Sequence, residues 1–135
     1  MGKTKDQEKG YISKRELKAL SKGFASANKQ KVYNAGEMLS EYMREDRVSP
    51  EDFPALINLF CGQMKRTPPN TFDYADVRAN IAGNLQAARW LEFFYKHSDT
   101  PASLKQEIKA LEGSLVCYNV YEGRKSPYYF ELHSW

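Results

Sequence analysis

Residues 89–96 read Arg89-Trp90-Leu91-Glu92-Phe93-Phe94-Tyr95-Lys96. Wound at about 3.6 residues per turn, Arg89, Glu92 and Lys96 share one narrow strip, and the five apolar side chains between them cover most of the circumference. A helix that is apolar on most sides has to be surrounded. Two readings follow. In one, this segment is the central helix of a small bundle. In the other, part of its surface, with Trp90, Phe93 and Phe94, is an exposed partner site carrying the aromatic rings that dominate binding hot spots. Trp135 at the last position is a further partner-binding candidate, although a terminal ring can equally seal the edge of a bundle.

On the N-terminal side of this segment, helix signals recur. Ser13-Lys14-Arg15-Glu16 has the form of a capping box, with Ile12 and Leu17 spaced as a hydrophobic staple. Leu17, Leu20 and Phe24 then fall on one helical face. Ser26-Ala27-Asn28 is either a break or a continuation, and a second series, Val32, Ala35, Leu39 and Tyr42, carries the pattern to about Asp46. Ser49-Pro50-Glu51-Asp52 supplies an N-cap, a proline at the first helical position and two acids near the positive end of the dipole. The helix it opens should run to about Lys65, with Phe53, Leu56, Ile57, Phe60 and Met64 as a wide apolar stripe. Thr67-Pro68-Pro69-Asn70 ends it, because two prolines remove donors and push their neighbours toward extended conformations.

Asp73 is an N-cap candidate for a helix reaching about His97, within which Gly83 marks close packing, and Thr100-Pro101 caps a shorter one that Gly113 stops. After that the period changes. Leu115 to Tyr121 and Tyr128 to His133 are β-branched and aromatic around a turn at Glu122-Gly123-Arg124-Lys125, which predicts a β-hairpin. An isolated hairpin is marginal in water, so one face should lie on the helices. The expected fold is mainly α: about five helices, near residues 13–46, 50–66, 73–97 and 101–112, with a C-terminal β-hairpin at 114–134 packed on them, preceded by a flexible basic arm at 1–12.

Composition agrees with a folded chain. Its 135 residues are 41% hydrophobic and 13% aromatic, too rich in core-forming side chains for disorder. One domain of this size needs no metal or disulfide to hold it together. The longest uncharged stretch, Phe53 to Met64, is too short to span a membrane. MGKTKDQEKG at residues 1–10 has no apolar run and carries Asp6 where a myristoylation signal requires Ser or Thr. With two cysteines and no export signal, a reducing, cytoplasmic location is expected.

Chemistry-bearing motifs are scarce. Cys61 and Cys117 have no Cys or His at zinc spacing, so neither a metal nor a cofactor is expected. Activation of either thiol by His97 or His133 is a distant reading beside plain core packing, and the chain is not expected to be an enzyme. Gly2-Lys3-Thr4 lacks the upstream glycine and strand of a phosphate loop.

Charge is more informative. The formal net charge of +3 hides an excess of six positive charges over residues 1–31 and of four negative charges over residues 32–60. Lys14, Lys18 and Lys22 form a basic ridge opposite the apolar face of the first helix, continued by Lys3, Lys5 and Lys9 in the arm. Glu37, Glu41 and Glu45 form an acidic ridge on the second. The ridges are solvated, or they face each other, or the basic one binds phosphates without reading sequence, since Arg15 is its only arginine. Arg124 and Lys125 among the hairpin tyrosines form a second candidate nucleic-acid surface. The expected function is that of a non-enzymatic interaction protein. It would be a small accessory subunit or inhibitor docking on a larger protein or nucleoprotein assembly through the aromatic helix. The alternative is a stand-alone, sequence-nonspecific nucleic-acid-binding protein.

Overall fold

The computed structural model describes residues 10–26, 28–65, 86–121 and 124–133, with side chains except at 29 and 117–126. The first helix, α1 (Lys14–Phe24), starts on the capping box: the Ser13 amide donates to Glu16 Oε1 at 2.9 Å and the Glu16 amide to Ser13 Oγ at 3.1 Å. Ile12 is buried ahead of the cap, and Leu17 packs on the core behind it. The arm expected to reach residue 12 therefore ends sooner. The Ile12 amide donates to the Arg47 carbonyl at 2.8 Å and the Arg47 side chain to the Gly10 carbonyl at 3.1 Å, which ties residues 10–12 to the far end of the next helix. Residues 1–9, with Lys3, Lys5 and Lys9, lie outside the described residues.

The expected run from 13 to 46 is two helices. Asn28 caps α2 (Lys29–Arg44) by accepting from the amides of Gln30 and Lys31, so α2 starts anew and does not continue α1. The two helices pack most closely at Gly23, where an added Cβ would stand 2.7 Å from the Ala35 Cβ. This contact is the reason for a residue that weakens α1 locally.

A Schellman motif ends α2. The Arg47 amide donates to the Tyr42 carbonyl at 2.8 Å and the Asp46 amide to the Met43 carbonyl at 3.1 Å, with Asp46 at φ 56°. The hydrophobic contact that usually closes such a motif is replaced by the Arg47 guanidinium, 5.2 Å from the centre of the Tyr42 ring. That guanidinium also lies 3.8 Å from Glu16 and 3.5 Å from Glu45.

Ser49 caps a 3-10 turn at Pro50–Asp52, which leads into α3 (Phe53–Lys65). All of the expected stripe, with Cys61, is buried. Asp73, Gly83 and the break at residues 67–70 lie outside the described residues. The next described helix, α4, covers residues 86–96 and buries Ala87, Ala88, Leu91 and Phe94. In α5 (Ala102–Lys109) the expected Thr100 cap is absent: Pro101 holds the cap position without a side-chain bond, and Thr100 Oγ1 is buried without a partner. Thr100 is drawn into the core side of the turn instead, at 5% exposure.

An antiparallel hairpin of β1 (Leu115–Tyr121) and β2 (Arg124–Tyr129) follows, and its second strand begins four residues before the expected Tyr128: Arg124 and Lys125 pair with Tyr121 and Val120 and are not turn residues, and residues 130–133 lie beyond the strand. Its register shifts between Leu115 and Cys117, a bulge beside the fully buried Val116. Val116 and Phe130 join the helices in one core cluster, so the hairpin lies on the bundle as its amphipathic pattern requires. The architecture is mainly α, with five helices and a two-stranded hairpin among the described residues. None of these helices is long and apolar enough to cross a membrane.

Asp46 holds a left-handed conformation that glycine adopts without strain. Asp46→Gly should therefore raise stability by up to about 1 kcal/mol, whereas a β-branched Asp46→Val should lower it by at least as much. Thermal unfolding of the two variants checks the sign, and a destabilised glycine variant would contradict the cap assigned here.

Candidate functional site

Because α4 turns Leu91 and Phe94 inward, the residues next to them in sequence are carried round the helix toward solvent. Phe93 is 40% exposed and Trp90 is half-buried. Their rings meet edge to face, with centroids 5.4 Å apart and planes at 78°. Across from them, α2 presents Tyr33, 55% exposed, and Glu37 one turn later. The Glu37 carboxylate beside the Tyr33 hydroxyl holds the phenol above its ordinary value.

The two helices enclose an open groove of about 380 Å³. Its α2 wall is Tyr33, Glu37 and Ser40, and its α4 wall is Gln86, Arg89, Trp90 and Phe93. Gly36 forms the floor. A Cβ there would come within 2.8 to 3.0 Å of the Gln86 carboxamide, so the absent side chain is what lets Gln86 lie across α2. Arg89 and Glu37 provide one charge of each sign on opposite walls, and neither belongs to an ion pair among the described residues.

The structure thus divides the aromatic segment. Trp90 and Phe93 line the groove, but Phe94 is fully buried between Phe53, 4.9 Å away, and Phe60, 6.5 Å away, so it is a core residue and not a surface contact. Trp135 lies outside the described residues, as do the side chains of Arg124 and Lys125, which are placed only as part of β2. Tyr33, Ser40 and Gln86 were not foreseen as site residues. The signal for Tyr33 was present, as a large ring off the apolar stripe of its helix, but the partner wall it faces is more than 50 residues distant in sequence.

Lys14, Lys18 and Lys22 are all exposed on α1, away from its buried residues Leu20 and Phe24. No ion pair joins them to Glu37, Glu41 or Glu45 among the described residues, so the two ridges do not neutralise each other. Cys61 is buried, and burial pushes its thiol above the ordinary value in spite of the nearby Lys65. That is the opposite of an activated nucleophile. Cys117 has no described side chain. Among the described residues no group of three or more His, Cys, Asp or Glu is placed to hold a metal ion. Compared with family models, with curated proteins and with solved structures, the chain matches none.

On another side of α4, Glu92 anchors the C-terminal segment. The His133 amide donates to Glu92 Oε2 at 3.0 Å, and His133 Nδ1 stands 2.8 Å from the same oxygen, donating to it when that nitrogen is protonated. A parallel clamp is made by Glu112, which accepts from the Leu132 amide at 3.1 Å and from Lys109 Nζ at 2.6 Å. Burial raises the Glu92 carboxyl, but the His133 bonds and the charge of Lys96 outweigh it and leave the group below the ordinary carboxylate range.

A carboxyl depressed in the folded state stabilises it at neutral pH and loses that contribution as pH falls through the folded value. Glu92→Gln should therefore be less stable than the parent at pH 7, by no more than about 1 kcal/mol because solvent screens the pair. The gap should close on acidification below about pH 4. Melting curves across that range measure it, and a gap independent of pH would show that charge on Glu92 does not hold the segment.

Proposed function

We propose that this chain is a non-enzymatic docking protein, an accessory subunit or inhibitor that binds a larger assembly through the groove between α2 and α4. The observation that carries the reading is the joint exposure of Tyr33 and Phe93 in one groove beside the half-buried Trp90. Scattered apolar side chains are ordinary on a protein surface, but three aromatic rings on facing walls make a contiguous patch. Burying one such ring on docking stabilises a complex by about 1.5–3 kcal/mol, which is the range of a binding hot spot. The groove also has the polar rim of an interface, in Arg89, Glu37 and Gln86. A cytoplasmic site of action belongs to the same reading and is supported by a sequence with only two, widely spaced cysteines.

The test compares two equally exposed apolar residues. Phe93 lies in the groove and Met38, also 40% exposed, is not among the groove's lining residues. A photo-crosslinking amino acid in place of Phe93 identifies the protein held there in cells, and the purified pair is then titrated. Phe93→Asp should weaken the complex by at least a hundredfold with the melting temperature changed by only a few degrees, and Met38→Asp should leave affinity unchanged. Equal effects from the two substitutions would end the assignment.

A second reading is favoured by the basic ridge, since Lys14, Lys18 and Lys22 are exposed and unneutralised by the acidic ridge. Such a row binds nucleic-acid phosphates with strong dependence on salt. Fluorescence anisotropy with labelled single- and double-stranded DNA and RNA should show binding that falls steeply between about 50 and 200 mM salt, and replacement of the three lysines by Glu should abolish it. No binding at the lower salt leaves the ridge as a solvated face.

A further inference from the structure

We infer that the α2/α4 groove takes one amphipathic helix of a partner protein, seated so that a basic residue of that helix meets Glu37 and an acidic one meets Arg89. The inference rests on the docking reading above and names the chemistry of the occupant. Its first support is the shape of the walls. The lining positions 33, 37 and 40 on α2 and 86, 89, 90 and 93 on α4 each recur at spacings of three and four, so each wall is one face of a helix over about two turns, or about 10 Å. Two adjacent helix faces with an open seam form the bed into which the side chains of a third helix pack.

The second support is the main chain. Residues 33–40 lie in the middle of α2, where amides and carbonyls bond within the helix. An extended peptide laid on this wall would find no strand edge to continue its ladder, and few of its own N–H and C=O groups would gain partners. A helix arrives with those groups already satisfied.

The third support is charge. Glu37 and Arg89 stand exposed on opposite walls with no ion pair of their own among the described residues, so each is available to an opposite charge on the occupant. A helix whose apolar stripe is flanked by a base on one side and an acid on the other pairs both, and the pairing fixes the direction in which it lies.

The experiment pans two displayed peptide libraries on the full chain: one of single helices randomised at four positions along one face and at the flanking positions, and one of proline-rich linear peptides. Expected are helical binders of micromolar affinity or better, with large apolar side chains at positions i, i+3 or i+4 and i+7 and an acid on one flank. Binding should drop at least tenfold with Phe93→Ser, and Arg89→Glu should turn the preference on that flank from acid to base. Tyr33→Ser, at a more exposed position, gives the same test if Phe93→Ser unfolds. Binders drawn only from the linear library, yet still dependent on Phe93 or Tyr33, would overturn the helical occupant and keep the docking groove. Binders indifferent to both rings, or none from either library, would overturn both.

Discussion

The arrangement depends on one column of buried phenylalanine rings. Phe24 of α1 meets Phe60 of α3 edge to face at 4.9 Å, Phe60 stacks with Phe94 of α4 at 6.5 Å, and Phe94 meets Phe53 at the start of α3 at 4.9 Å. All four are at most 5% exposed. Each buried ring contributes about 1.5–3 kcal/mol by area alone, and the offset contacts add to it. The larger consequence is orientational. Once Phe94 is fixed in the column, the rotation of α4 about its own axis is settled, and Phe93, about 100° away, cannot also be inside. An aromatic run too long for one face is thereby split into a core part and a surface part, and the surface part is the groove.

Polar contacts hold the segments that the column does not reach. Glu16 serves two structures at once: Oε1 closes the capping box of α1, and Oε2 accepts from the Tyr42 hydroxyl at 3.2 Å near the end of α2. Arg47 stands over the same tyrosine and binds the Gly10 carbonyl, so the residues just ahead of α1 are fastened to the end of α2. At the other terminus Glu92 and Glu112 perform the same task for residues 132 and 133. These are exposed or part-buried bonds whose individual worth is small. Their effect is to hold residues 10–12 and 132–133 against the helices.

The elements were legible in the sequence where a local rule governs them. The capping box, the Ser49-Pro50 start, the stripe of α3 and the change of period at Leu115 each depend on residues within one or two turns of one another, and each appears where the pattern puts it. What was not legible depends on distant partners. Nothing near Asn28 distinguishes a cap from a helical residue until Gly23 and Ala35 are seen to bring α1 and α2 together. Asp46 ends α2 without a glycine because Arg47 has a ring to lie on. Trp90, Phe93 and Phe94 are equivalent in composition, and only the packing of α4 separates the ring that is buried from the two that are not. Tyr33 escaped for the same reason, since a ring off the apolar stripe is an ordinary surface residue until a second wall stands opposite it.

Each wall of the groove is also tied to a helix outside it, the α2 wall to α1 through the Gly23–Ala35 contact and the α4 wall to α1 and α3 through the phenylalanine column. Gln86 lies across Gly36 on the floor, so the two walls also meet there. A partner docking there as proposed would meet walls already packed on other helices. The cost of arranging loops and side chains, which removes much of the gain from buried area in flexible interfaces, would then be small. Two exposed rings and one half-buried ring on fixed walls can thus yield a larger share of their burial energy as affinity than the same rings could on a mobile loop.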